Sequence, residues 1–383
     1  MKFKFKLIFF AIGLVGIGIL LWKADLPHVN WSTVFSLNSL ALLGILCGLW
    51  LVIYTIHALC YKVILAEESR KINFFSMFKI CAAGFALNNV TPAGLVGGEP
   101  YRIMELKRYC STEKSTSSTL TFSLLYTFGH IMLWITTVIV VAVRMILGKH
   151  VILWVAILVL IAGGLLLTLF LIFILFRKNG FAYPVMRFLC KIPLLKKKMI
   201  PLVEKNKQSY IEIDDNIREF RNSPVRFIVA LSMQFLTRLL EAFEYFLLFW
   251  FFAKATGSGM NVTFVDGILI MGIASLVGNI LFIIPMQAST REGGMTLALG
   301  FMVAEEFIND IGVGIGLLYR IREFIFIVLG IILVLIGKRG KKKFTSQQLE
   351  EMGLLEEAAE VRKEEKREAR RLKLRKKKTN DNE

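Results

Sequence analysis

The chain has 383 residues, 55% of them hydrophobic and 20% charged, with 47 Lys and Arg against 29 Asp and Glu for a formal net charge of +18. Its mean hydropathy is +0.61, and its apolar residues come in long runs such as the charge-free Val151–Phe176, long enough to cross a hydrocarbon layer of ~30 Å at ~1.5 Å per helical residue. A soluble enzyme, a nucleic-acid-binding domain and a secreted disulfide scaffold are all poor readings of this pattern, which is that of an all-α polytopic membrane protein.

Lys2, Lys4 and Lys6 precede an apolar run with no small-residue cleavage site after it, so Leu7–Trp22 is predicted as an uncleaved first span. Lys23–Ser39 is a short external link, and Leu40–Tyr61 returns to the basic cytoplasmic stretch Lys62–Lys79. Residues 74–109 form the first irregular piece. Its apolar stretch Met77–Leu87 reaches only about 16 Å as a helix. It stops at Asn88-Asn89-Val90-Thr91-Pro92, with Gly94, Gly97 and Gly98 following, and a second short helix runs Glu99–Arg108. This reads as a re-entrant hairpin that enters and leaves on the cytoplasmic side. Spans over about Leu120–Val143 and Val151–Phe176 come next. Residues 177–226 carry twelve Lys/Arg and are expected to lie amphipathically along the cytoplasmic headgroups.

Phe227–Phe252 crosses outward. Residues 262–303 are the second irregular piece: the apolar run ends at Ile284-Pro285, passes through Met286–Glu292, and resumes at Gly293-Gly294-Met295. The acidic link Ala304–Asp310 is expected outside, and Ile311–Ile336 returns to the basic run Lys338–Lys343. The second piece is therefore read as a hairpin inserted from the opposite face, although Gly267–Ile284 is nearly long enough to cross. The expected architecture has about six full transmembrane helices plus two oppositely inserted re-entrant hairpins, arranged like an inverted repeat. Residues 1–337 make the membrane domain and residues 338–383 a charged cytoplasmic tail. On this layout cytoplasmic segments hold 39 of the 47 basic residues, and external links hold four: Lys23, Arg144, Lys149 and Lys254. That bias places both termini in the cytoplasm of a plasma (inner) membrane protein.

Non-helical backbone at membrane depth is tolerated only against protein or a wet cavity, and broken helices in secondary transporters bind polar cargo there. The candidate binding residues are accordingly Asn89, Thr91, Gly97, Gly98, Glu99 and Arg102 at the first break and Arg291, Glu292 and Gly293 at the second. A polar face on the next long helix (Gln234, Thr237, Arg238, Glu241, Glu244) and Tyr319, Arg320, Arg322 and Glu323 on the last one are expected to point at the same cavity. Of these, Arg238, Glu241 and Arg320 join the candidate set. Internal ion pairs between helices are an equally good account of those charges. His130, His57 and Trp50 are expected to be packing residues. No hydrolase, metalloprotease, phosphate-loop or dinucleotide fingerprint is present, so no catalytic residue, metal or cofactor is assigned. The five cysteines contain no CxxC, and neither a disulfide nor a zinc site is expected.

Asn89-Val90-Thr91-Pro92-Ala93-Gly94-Leu95-Val96-Gly97-Gly98-Glu99-Pro100-Tyr101-Arg102, together with Pro285 and Arg291-Glu292-Gly293-Gly294, resembles the lysylphosphatidylglycerol synthase transmembrane-region family of flippase-like proteins. The resemblance covers roughly Leu7–Ile336. It implies an integral membrane domain that moves lipids between leaflets: an anionic or aminoacylated phospholipid, or a lipid-linked headgroup. The family's full-length synthases carry a soluble aminoacyl-transferase domain after the membrane part. A short basic tail stands there in this sequence, so lysyl transfer is not expected. Met286-Gln287-Ala288-Ser289-Thr290 also replaces the family's usual glycine-rich stretch. A membrane-embedded transferase using an acidic pair, and an anionic-lipid-binding scaffold, are the alternatives to transport.

Overall fold

The computed structural model describes residues 36–90, 98–147, 163–164, 190, 203–204, 207–280 and 290–336. The first span Leu7–Trp22, the breaks at 91–97 and 281–289, nearly all of Val151–Phe176, most of 177–206 and the tail 338–383 lie outside the described residues. Within them, regular structure is helical throughout, with no strand. In chain order the helices are α1 (Leu37–Leu65), α2 (Phe74–Val90), α3 (Gly98–Leu106), α4 (Thr112–Ile146), α5 (Lys207–Arg221), α6 (Pro224–Ala255), α7 (Phe264–Ile280), α8 (Thr290–Leu299) and α9 (Glu305–Ile336), with a 3₁₀ turn at Ala66–Lys71 after α1.

Local chemistry sets several of these ends. Ser36 caps α1 by accepting from the Ser39 N–H at 3.2 Å, and Ser111 caps α4 by accepting from the Lys114 N–H at 3.2 Å, each satisfying a donor that the first turn leaves open. Pro224 opens α6, where its missing N–H costs nothing. The expected external link Ala304–Asp310 is a correction: from Glu305 onward it is the start of α9. Glu305 and Glu306 fall in the first turn, where carboxylates sit favourably against the helix dipole.

The helix lengths repeat. The quartet α1–α4 runs 29, 17, 9 and 35 residues, and the quartet α6–α9 runs 32, 17, 10 and 32. Contacts follow the same scheme: α1 packs on α2 as α6 packs on α7, α2 on α3 as α7 on α8, and α3 on α4 as α8 on α9. Between quartets, α1 meets α6, α2 meets α9 and α4 meets α7. Exchanging the quartets maps these contacts onto one another. The α1–α6 pair is antiparallel, since Trp50 reaches Glu244 while Cys60, ten residues on, reaches the Ala230 carbonyl. Helix α5 lies across α4 and α6, with Ile213 and Phe220 turned inward.

Polarity is inverted relative to a soluble bundle. Leu37, Leu51, Ile139, Ile146, Ile228 and Leu329 are exposed, whereas Arg102, Gln234, Thr237, Arg238, Glu244 and Arg322 are at most 1% exposed. Water would reward the opposite arrangement; hydrocarbon rewards this one. Leu37–Lys71 and Thr112–Ile146 are long and apolar enough to cross a bilayer. Helices α6 and α9, each about 48 Å by their 1.5 Å rise, are long enough but carry the buried charges.

Candidate functional site

Where α1, α2, α4, α6, α7, α8 and α9 converge, a cavity of about 60 Å³ is lined by Trp50, Tyr54, His57, Phe85, Asn89, Tyr126, Glu241, Glu244, Tyr245, Met271, Arg291, Tyr319 and Glu323. Three carboxylates, one guanidinium and a ring wall thus share one small space inside an apolar bundle.

Ion pairs within and between helices hold that wall. Arg322 grips Glu244 with two bonds, Nε to Oε1 at 2.7 Å and Nη2 to Oε2 at 2.9 Å. The indole N–H of Trp50 donates to Glu244 Oε2 at 2.8 Å. The Arg322 guanidinium also lies 4.1 Å from the Trp50 ring centre and 4.4 Å from that of Tyr319. Arg238 Nη1 donates to Glu241 Oε2 at 2.9 Å and lies 3.0 Å from His130 Nε2, with the guanidinium 4.2 Å over Tyr126. On α9, Arg320 bonds Glu323 at 2.6 Å and also pairs with Glu292 at the start of α8. Arg291 donates to the Tyr319 hydroxyl. Four arginines (238, 291, 320, 322) therefore face four glutamates (241, 244, 292, 323). That balance is what makes so many charges tolerable here, because an unpaired buried ion costs far more than a paired one.

A second cluster sits at the start of α3. Asn88 accepts from the Gly98 N–H at 2.7 Å and donates to Glu99 Oε1 at 3.2 Å, and the Ser123 hydroxyl donates to the same oxygen at 3.4 Å. Arg102 lies 3.6 Å from Glu99 and stacks on Phe85 at 4.5 Å and Phe122 at 5.3 Å.

Of the residues expected from sequence, Asn89, Glu241 and Arg291 line the cavity. Arg238, Glu292 and Arg320 stand directly behind its wall, as the ionic partners of Glu241 and Glu323 or of one another. Gly98, Glu99 and Arg102 form the neighbouring cluster, joined to the cavity through Phe85. Gly293 is exposed with open space beside it, and Thr91 and Gly97 lie outside the described residues. Trp50, His57 and His130, expected as packing, line the cavity or touch its ionic wall. Tyr54, Tyr126 and Tyr245 are wall residues that no sequence motif singled out. The usable signal was spacing: Trp50, Tyr54 and His57 recur at four and three residues, which places them on one helix face. Among the described residues no group of three or more His, Cys, Asp or Glu is arranged to hold a metal ion.

Compared with known proteins, residues 8–330 match the family described as lysylphosphatidylglycerol synthase TM region. No curated protein and no solved structure matches the chain.

Proposed function

The chain belongs to the lysylphosphatidylglycerol synthase TM region family, a membrane protein acting on lipids, and from that premise we propose that it is a flippase-like transporter that carries a lipid headgroup between leaflets. The cargo in this reading is a phospholipid, anionic or aminoacylated, or a lipid-linked headgroup. The observation that carries it is the enclosed polar cavity, with Glu241, Glu323 and Arg291 on its wall. A headgroup needs such a wet, charged refuge at mid-depth while its acyl chains stay in lipid, and intramembrane charges are too costly to keep idle.

The proposed architecture is six full spans with two hairpins inserted from opposite faces. The repeated quartets support it. So does charge: α1 ends towards Lys62, Arg70 and Lys71, whereas α6 starts beside Arg226 and ends at Lys254, so the positive-inside rule sends the two quartets through the membrane in opposite directions. With the same rule, both termini and the tail 338–383 are cytoplasmic at the plasma membrane. Broken helices meeting near the midplane of such repeats are a recurrent transporter design.

The test is leaflet exchange of fluorescent phosphatidylglycerol in vesicles containing the purified chain, read by dithionite quenching. Wild type is expected to exchange lipid well above empty vesicles. Glu241→Gln and Arg291→Ala are expected to lower the rate at least tenfold at unchanged yield and monodispersity. Equal rates in wild type, both variants and empty vesicles would reject transport by this site.

A further inference from the structure

Helix α4 carries Phe122, Tyr126, His130 and Trp134 at four-residue intervals, one aromatic stripe rising about 6 Å per step. Successive ring centres are 6.4, 4.9 and 5.8 Å apart. Two arginines from other helices lie on this stripe one turn apart: Arg102 of α3 over Phe122 and Arg238 of α6 over Tyr126. Both are 1% exposed. Arg102 Nε and Nη2, and Arg238 Nε and Nη2, have no hydrogen-bond partner among the described residues.

That combination is unusual for structural arginines. Buried guanidinium groups ordinarily find acceptors for their donors, because an orphaned donor forfeits its hydration without replacement. Here the protein holds each cation by its flat face, against rings, which consumes none of the N–H groups along its edge. The carboxylates do not close the gap. Glu99 is tied to Asn88 and Ser123 and stays 3.6 Å from Arg102, while Glu241 and His130 both engage Nη1 of Arg238, leaving the rest of its fork open. Space is reserved as well: a methyl group at Gly84 would overlap the Arg102 Nε. Phe85 and Tyr126, on which the two guanidinium groups lie, are also walls of the central cavity.

We propose that Arg102 and Arg238 are two successive stations for the phosphate group of a lipid, one helical turn apart on the aromatic stripe of α4. A tetrahedral phosphodiester offers paired oxygens that match a guanidinium fork, and stations about 6 Å apart let one phosphate engage the second arginine before it leaves the first. The inference rests on the transport reading and deepens it, since it assigns the phosphate, rather than the rest of the headgroup, as what the wall grips. It also accounts for Phe122 and Tyr126, which take the flat faces of the two guanidinium groups, and for Gly84, whose missing side chain leaves room for Arg102.

Isothermal titration of the full-length chain in detergent with dihexanoyl phosphatidylglycerol tests this, with dihexanoylglycerol and inorganic phosphate as separate arms. Arg102→Gln and Arg238→Gln are each expected to weaken phosphatidylglycerol binding at least tenfold. Gly84→Ala, which keeps every charge but displaces Arg102, should weaken it several-fold. Arg144→Gln, in the last turn of α4 where Arg144 pairs with Asp266 of α7 at 2.5 Å, should bind as wild type does. Should the glutamine variants not fold, Arg102→Lys and Arg238→Lys keep the charge and lose the fork, and are expected to weaken binding similarly. Dihexanoylglycerol binding as tightly as the phosphate lipid, or arginine variants binding normally, would overturn the stations. Inorganic phosphate binding with the same arginine dependence as the lipid, and as tightly, would overturn the lipid as their ligand. Unchanged binding in the arginine variants alongside wild-type lipid exchange rejects the stations and leaves transport standing. Arginine-dependent binding without any exchange does the reverse.

Discussion

The Arg322–Glu244 pair gives the sharpest energetic prediction. Both residues are at most 1% exposed and joined by two charge-assisted bonds, with the Trp50 indole N–H completing the carboxylate. Arg322→Met leaves a buried carboxylate holding only the indole donor, and Glu244→Leu leaves a buried guanidinium with its rings but no counter-charge. Stranding one ion in this way costs about 3–5 kcal/mol, a large share of a typical folding stability of about 5–15 kcal/mol. Replacing both at once strands no charge and leaves only the neutral Trp50 indole N–H without its acceptor, at about 1–3 kcal/mol. Well-packed apolar substitutes for a buried pair range from neutral to about 1–4 kcal/mol more stable. The double variant should therefore unfold near the wild-type midpoint, giving a coupling energy of about 6 kcal/mol or more in a double-mutant cycle, since Glu244→Leu alone loses the Trp50 bond too. Detergent-titrated unfolding in mixed micelles, followed by tryptophan fluorescence, measures it. Single variants costing less than about 1 kcal/mol, or a double variant no better than the sum of its parts, would refute the argument. Lipid exchange should fall in the double variant even though stability returns, because the cavity wall has lost the Glu244 carboxylate.

Two further outcomes follow from packing and titration. A methyl group added at Gly272 of α7 would overlap the Thr137 side chain of α4, meeting its Cβ at 2.7 Å. Overpacking of this kind costs about 1–3 kcal/mol and outweighs the gain of about 1 kcal/mol in helix propensity; Gly272→Ala should lower stability in the same unfolding assay, and adding Thr137→Ala should restore most of it, whereas a stabilised single variant would show that the helices are not in close contact there. Just before the N-terminal end of α4, burial pushes the Cys110 thiol above the ordinary 9.0, against the opposing hydrogen bond it shares with Ser115 at 3.2 Å. Below its pKa the reactive thiolate fraction falls about tenfold per pH unit. In a variant retaining only Cys110, the iodoacetamide alkylation rate should keep climbing beyond about pH 9, where the unfolded chain levels off; a plateau near about pH 8.5 would contradict the burial.

Much of the architecture was readable without coordinates. Long apolar runs announced α1, α4, α6 and α9, and the Gly, Pro and Asn clusters marked where α2 and α7 stop. The expected boundaries were too short by a few residues at several ends. Met77–Leu87 became α2, Phe74–Val90, and Leu120–Val143 became α4, Thr112–Ile146. Polar first turns such as Thr112–Thr119 are helical because capping and burial against neighbours outweigh their low hydropathy. The acidic stretch at Glu305–Asp310 resembles a link in sequence and is the start of α9, where Glu305 and Glu306 sit favourably against the helix dipole.

Ionic partners were less legible. Glu292 adjoins Arg291 in sequence, yet it pairs with Arg320 of α9, while Arg291 turns to the Tyr319 hydroxyl. Trp50 looked like filling and instead completes the coordination of Glu244.

By itself the sequence determined the all-helical membrane character, the two interrupted segments and the set of charges that had to be buried, because these follow from hydropathy and backbone chemistry along one dimension. Only the tertiary structure decided which arginine meets which glutamate, and that a ring stripe takes the flat faces of Arg102 and Arg238 beside their carboxylates. Periodicity specifies the face of a helix, but the neighbour across from that face is chosen by how distant helices pack.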